Sequence, residues 1–136
     1  MANTFYLEIL ASDHKFFCGD CEMLIFPAID GECGILPNHE SMVTCLEAGE
    51  LRFKVDGEWK YAAVSDGFLE IMPSSVVLLA DTIELPEEID IKRAEEAKLR
   101  AQDRIRQKQG IAEFYHSKAA LNRAMNRLRV TKKHIK

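Results

Sequence analysis

Up to Ala80 the apolar side chains of this chain fall on alternate positions; from Glu87 onward they fall three and four apart. Residues 4–11 (TFYLEILA) put Phe5, Leu7 and Ile9 on one face, the period of a half-buried strand. Similar β-rich runs follow at 22–26, 42–46, 51–55, 60–64, 68–72 and 76–80. Turn residues separate them: Asp30-Gly31, Ala48-Gly49, Asp56-Gly57, Asp66-Gly67 and Pro73-Ser74-Ser75. Asp56-Gly57 between two alternating runs predicts a tight hairpin. Short strands at roughly ten-residue spacing leave no room for helical crossovers. They predict an antiparallel β-sandwich.

Residues 31–39 (GECGILPNH) break the rhythm, with two glycines, a proline and polar residues too irregular for a ladder strand. Two readings stand side by side. Ile35 and Leu36 are either a docking surface on an ordered loop or apolar side chains tucked into the loop's own core. His39 has no nucleophile or base partner in the pattern, so it carries no catalytic signal.

The helical period predicts two helices. Ile89 and Asp90 read as N′ and N-cap, the Asp90 carboxylate taking the free N–H of Lys92 or Arg93, with Ile89 stapled against Ala94. Ala94, Ala97, Ala101 and Ile105 form one apolar stripe, and Gly110 reads as the C′ residue ending the helix. Phe114, Ser117, Leu121, Ala124 and Leu128 form the stripe of the second helix. A short link between them predicts an antiparallel helical hairpin. Its seam is mostly alanine and serine, and a buried Leu contributes about 1.5–3 kcal/mol, far more than a methyl group. Such a pair is close to marginal alone and is able to open, which makes it the material of a switch.

Charge sharpens the division. Residues 1–86 carry 4 Lys/Arg against 15 Asp/Glu, a balance of −11, and residues 87–136 carry 14 against 7, a balance of +7. The predicted domains are therefore 1–86 and 87–136, with different partners. Arg93, Arg100 and Arg104 share a face of the first helix; Arg123 and Arg127 are four apart on the second. On pattern alone this is a solvated basic face. If the hairpin closes with those faces adjacent, the guanidinium groups suit a polyphosphate.

Candidate chemistry subtracts more than it adds. Cys18-Gly19-Asp20-Cys21 has the look of half a zinc knuckle; a structural site wants a second close pair, and Cys33 and Cys45 are twelve apart, although His39 could in principle complete a set. Small reduced thiols in a cytosolic domain are the better reading, and no metal is expected. The absence of a phosphate-loop motif means that no nucleotide is expected to be hydrolysed. No catalytic triad or carboxylate pair is evident. The acidic front half disfavours nucleic acid. No stretch reaches the roughly 20 apolar residues of a membrane span, and Met1-Ala2-Asn3-Thr4 does not start a signal peptide.

Specific segments carry a family resemblance: 5–9 (FYLEI), 30–39 (DGECGILPNH), 46–52 (LEAGELR), 67–71 (GFLEI), 77–82 (VLLADT) and 89–94 (IDIKRA). Over nearly its whole length the chain resembles the epsilon subunits of bacterial and chloroplast F-type rotary ATP synthases. Ser65-Asp66-Gly67 departs from the more glycine-rich turn of that family, and the four cysteines are not part of its pattern. The resemblance implies a sandwich of about ten strands followed by a two-helix hairpin, in a non-catalytic rotor subunit. It implies that the sandwich binds the gamma subunit and rests on the c-ring, with Glu32, Ile35, Leu36, Pro37 and His39 at that interface. The basic helices would engage the catalytic beta (and alpha) subunits and block hydrolysis. Glu84, Ile89, Asp90, Arg93, Ala94, Arg100, Arg123 and Arg127 match a regulatory ATP site of the family, ATP being a ligand rather than a required cofactor. The subunit would sit on the cytoplasmic face of the cell membrane, peripherally and only through the complex. A free-standing ATP-sensing switch acting on an unrelated partner is the alternative, and a nucleic-acid adaptor a third reading.

Overall fold

Alternation decides which faces turn inward. In β1 (Phe5–Ala11), Phe5, Leu7, Ile9 and Ala11 are buried while Tyr6 is exposed. The computed structural model describes residues 3–107 and 110–134 (backbone alone for 111–113). Nine more strands follow: β2 (Lys15–Cys21), β3 (Met23–Ala28), β4 (Gly31–Ile35), β5 (Met42–Leu46), β6 (Gly49–Val55), β7 (Glu58–Val64), β8 (Gly67–Ile71), β9 (Ser75–Ala80) and β10 (Ile83–Glu84). They form two five-stranded sheets, ordered β2-β1-β9-β8-β5 and β10-β7-β6-β3-β4. The core lies between them, with Leu7, Leu24, Phe26, Leu51, Leu69 and Leu78 fully buried. Phe17 of the first sheet meets Phe53 of the second at 5.0 Å between ring centroids.

Turn chemistry does what its residues allow. Asp56 and Gly57 both take positive φ, 52° and 78°, the backbone a two-residue hairpin needs to follow the strand twist. Gly67 pairs with Ala80, and a Cβ there would fall on the carbonyl oxygen of Leu79, so no other residue fits. Next to that turn, the Ser65 hydroxyl accepts the Thr82 N–H at 2.7 Å and ties the end of β7 to the β9–β10 link.

Three expectations need correction. The segment at 31–39 is not all loop, since Gly31–Ile35 is a ladder strand on β3, with Cys33 opposite Phe26. Its glycines are tolerated because β3 supplies the partner groups for pairing. Lys15–Cys21, not expected as a strand, pairs with β1 although the adjacent Phe16 and Phe17 break alternation, and the β1 register slips at Ile9/Leu10. Pairing is antiparallel throughout except β1 with β9, which run parallel with Leu7 opposite Val76. The intervening strands themselves serve as the crossover, so no helix is needed.

Met1–Glu84 and Leu85–Lys136 form two compact units. The second opens with a 3-10 turn (Pro86–Glu88), Pro86 sitting at its first turn, followed by α1 (Ile91–Arg106) and α2 (Ile111–His134) packed along each other as a hairpin. At 16 and 24 residues the helices are about 24 Å and 36 Å long. The last two turns of α2 therefore run past the start of α1, where α2 packs against the 3-10 turn and Val130 and Thr131 are buried.

The seam is as thin as its composition implies. Ala94, Ala101, Ser117 and Ala124 are buried, while Ala97, Ile105, Leu121 and Leu128 are partly so. Phe114, expected on the stripe, is 38% exposed and meets Tyr115 edge-on instead. Gly110 does not end α1. The helix stops at Arg106 with Gln107 as its cap, and the Gly110 carbonyl accepts the Phe114 N–H, so Gly110 opens α2. Its φ is not left-handed, which removes the C′ role.

Candidate functional site

Each unit carries one group of candidate residues. In the sandwich unit the group is the end of β4 and the loop after it. Gly31 enters the strand at φ 118°, a conformation that glycine alone adopts readily. Alternation then turns Glu32 outward and Ile35 inward, while Leu36, just past the strand end, is also exposed. Ile35 is 1% exposed and packs in the sandwich core, so it is not an interface side chain; Leu36, at 57%, is free to be one. Past the strand, Pro37 and His39 are partly buried. Asn38 takes φ 67°, its N–H donating to the Pro73 carbonyl at 2.9 Å, and His39 Nδ1 lies 2.7 Å from the Glu40 carbonyl oxygen. The loop is therefore anchored to the β8–β9 turn and leaves Leu36 exposed.

Glu32 has a partner that strand patterning did not anticipate. Arg52 of β6 donates from its guanidinium to the Glu32 carboxylate at 2.6 Å, and its Nε lies 3.6 Å from Glu50. The signal was present: Arg52 is the only arginine in residues 1–86.

In the helical unit, Asp90 caps α1, its carboxylate accepting the Arg93 N–H at 3.1 Å. Ile89 and Ala94 are buried on either side of that cap. Arg93, Arg100 and Arg104 are exposed on a shared face of α1, and Arg123 and Arg127 are partly buried on α2. In an antiparallel pair linked at 107–110, Arg93 falls at the level of Arg123 to Arg127. Arg100 lies about 10 Å further along. Arg129 is held by Asn126 at 3.2 Å, and Thr131 bonds back to the Arg127 carbonyl at 2.9 Å. Glu84 belongs to the other unit, in β10 opposite Ala63.

The cysteines are dispersed. All four are free; Cys21 is buried, Cys33 partly so, and Cys18 and Cys45 are exposed, Cys18 against the Tyr6 hydroxyl. Burial pushes the Cys21 thiol up from its ordinary value. Among the described residues no three His, Cys, Asp or Glu side chains gather to hold a metal, and no helix is long and apolar enough to cross a membrane.

A braced sandwich with an exposed loop, followed by a thin-seamed basic hairpin, defines a two-unit protein of β-sandwich and helical hairpin. Comparisons with known proteins give it a family. Residues 4–86 match the β-sandwich domain of the ATP synthase delta/epsilon chain, and residues 87–132 match its long α-helix domain. The chain belongs to the ATP synthase delta/epsilon chain family, as a non-catalytic subunit of the epsilon type. It is 49% identical to the ATP synthase epsilon chain of Ruminiclostridium cellulolyticum over 94% of this chain and 96% of the relative. It is 43% identical to that of Caldanaerobacter subterraneus over 98% of each. In fold it is similar to a chain of the Euglena gracilis mitochondrial ATP synthase, in a structure of OSCP, F1 and c-ring. The TM-score is 0.79 at 21% identity, with 90% of this chain and 78% of that one covered.

Proposed function

We propose that the chain is a rotor subunit of the central stalk, coupling proton-driven c-ring rotation to ATP synthesis and restraining ATP hydrolysis through its helices. The observation that carries this reading is the near full-length likeness to bacterial epsilon chains, at 49% identity. The sandwich binds the gamma subunit and the c-ring, with Glu32, Leu36, Pro37 and His39 at that contact. The +7 helical segment reaches acidic surfaces of the catalytic beta and alpha subunits when the hairpin opens. The complex holds the chain at the cytoplasmic face of the cell membrane.

ATP acts as a ligand of the closed hairpin. Asp90 orders the first turn of α1, with Ile89 and Ala94 packed beside the cap, while Arg93, Arg100, Arg123 and Arg127 supply planar donors for phosphate oxygens. A ligand that binds only the closed state stabilises it by about 2.7 kcal/mol at a hundredfold excess over Kd. That is enough to move a marginal two-state element, so ATP keeps the brake parked and its depletion releases it.

Truncation tests the division of labour. Residues 1–85 retain β10, whose Ile83 is 5% exposed in the core; a cut after Asp81 would remove that residue and the Thr82 partner of Ser65. The 1–85 chain is expected to bind gamma and to lose inhibition of hydrolysis by the reconstituted catalytic head. Equal inhibition by both forms would overturn the role given to the helices. For the ligand, calorimetry is expected to show ATP binding to the full chain and its loss in Arg123→Ala/Arg127→Ala.

A further inference from the structure

We infer that Arg52 is a positioning residue for the docking segment: it reaches across β3 to hold Glu32 and so sets where β4 presents its carboxylate and Leu36. This rests on the reading of residues 32–39 as a partner contact, and it adds a residue outside that segment.

The geometry is specific. β4 is an edge strand with β3 as its neighbour in the sheet, it is 5 residues long, and two of those residues are glycine. Such a strand has little side-chain packing to fix its outer half. Arg52 stands two strands away, on β6, opposite Ile25 of β3, which is itself opposite Gly34. Two strand spacings come to about 9.6 Å. The arginine closes that gap, with a guanidinium nitrogen 2.6 Å from the Glu32 carboxylate. The absence of a side chain at Gly34 leaves the row beyond Ile25 open except for the Met23 methyl group.

The other end of the guanidinium is held less tightly. Arg52 Nε is buried without a hydrogen bond, and the Glu50 carboxylate lies 3.6 Å from it, too long for one. Charge attraction to Glu50 keeps the arginine stem upright on β6, while the directional bond goes to Glu32. The arginine thus braces the edge strand from the sheet interior. Because the pair is partly exposed it contributes little to global stability, so its role shows in position rather than in melting.

Two readouts on the full-length chain test this. Amide hydrogen exchange across residues 31–35 is expected to speed up about tenfold in Arg52→Gln, with β6 and β7 unchanged. Titration into ATP synthase depleted of this subunit, read as recovered coupled proton pumping, is expected to need three- to tenfold more Arg52→Gln chain than wild type. Arg52→Lys, which keeps charge but loses the fork, is expected to fall between. Should Arg52→Gln fail to fold, Arg52→Met keeps the stem and removes the charge, with the same two readouts. Unchanged exchange in the 31–35 strand, or unchanged titration, overturns the inference. Glu32→Gln and Leu36→Ala separate the two failures. If they weaken rebinding and Arg52→Gln does not, the brace alone is wrong; if none of them does, the contact reading falls with it.

Discussion

The two units are built from the same chain by opposite use of side-chain volume. The sandwich buries Phe26, Leu7, Ile9, Leu24, Leu51 and Leu78 essentially completely between its sheets. The hairpin seam buries Ala94, Ala101, Ser117 and Ala124. Large interdigitating side chains give one deep minimum, because any displacement leaves a cavity. Small ones cost little to separate and leave no large void. One unit is held by a deep core and the other by a thin seam, and the difference is set by how many methylenes each contact removes from water.

The largest break in that comparison comes from emptying the sandwich. Leu78→Ala or Phe26→Ala is expected to cost about 3–5 kcal/mol, read as a lowered urea midpoint of Trp59 fluorescence. In the wild-type chain the helical signal at 222 nm is expected to fade at lower urea than the Trp59 signal. A single coincident transition would erase the contrast between the units. Next in size is overfilling the seam. Ala101→Leu or Ala124→Leu is expected to destabilise the closed hairpin by about 1–3 kcal/mol, read as a longer helix–helix distance by paired spin labels, with the Trp59 transition unmoved. If Ala101→Leu instead tightens the hairpin, the seam is underfilled rather than thin.

Smaller effects sharpen the picture. Asp90→Ala removes the cap on the Arg93 N–H and is expected to cost α1 about 1 kcal/mol, read as lost ellipticity at 222 nm without loss of gamma binding. The smallest concerns Cys21. Its folded thiol holds the proton more tightly than the unfolded one, because burial disfavours the thiolate. The stability it contributes is full below the ordinary thiol value of 9.0 and declines above it as the unfolded thiol ionises. A thiol reagent is expected to label Cys18 and Cys45 quickly in the native chain and Cys21 only on unfolding. Rapid native labelling of Cys21 would show that the sandwich breathes at β2.

Much of the architecture was readable from local pattern. The Asp56-Gly57 hairpin, the Asp90 cap and the change from alternation to helical spacing are local features, each written within a few residues. The strands at Lys15–Cys21 and Gly31–Ile35 were not, because Phe16-Phe17 and the two glycines violate alternation and pairing with β1 and β3 overrides them. The arginines of the hairpin were legible as types and spacing, whereas Ile35 looked the equal of Leu36 until the pleat turned one inward and the other out.

By its own order of residues the chain settled where strands give way to helices, how the −11 and +7 charges divide, and that the hairpin would be glued by alanine. Turn chemistry, periodicity and charge act over a few residues, and so they survive in a linear reading. Only the folded sheets decided that β1 and β9 lie parallel, that Ile35 is core, and that Arg52 meets Glu32 from 20 residues away. Those facts depend on which strand neighbours which, and that order comes from burying all the apolar faces at once rather than from any one segment.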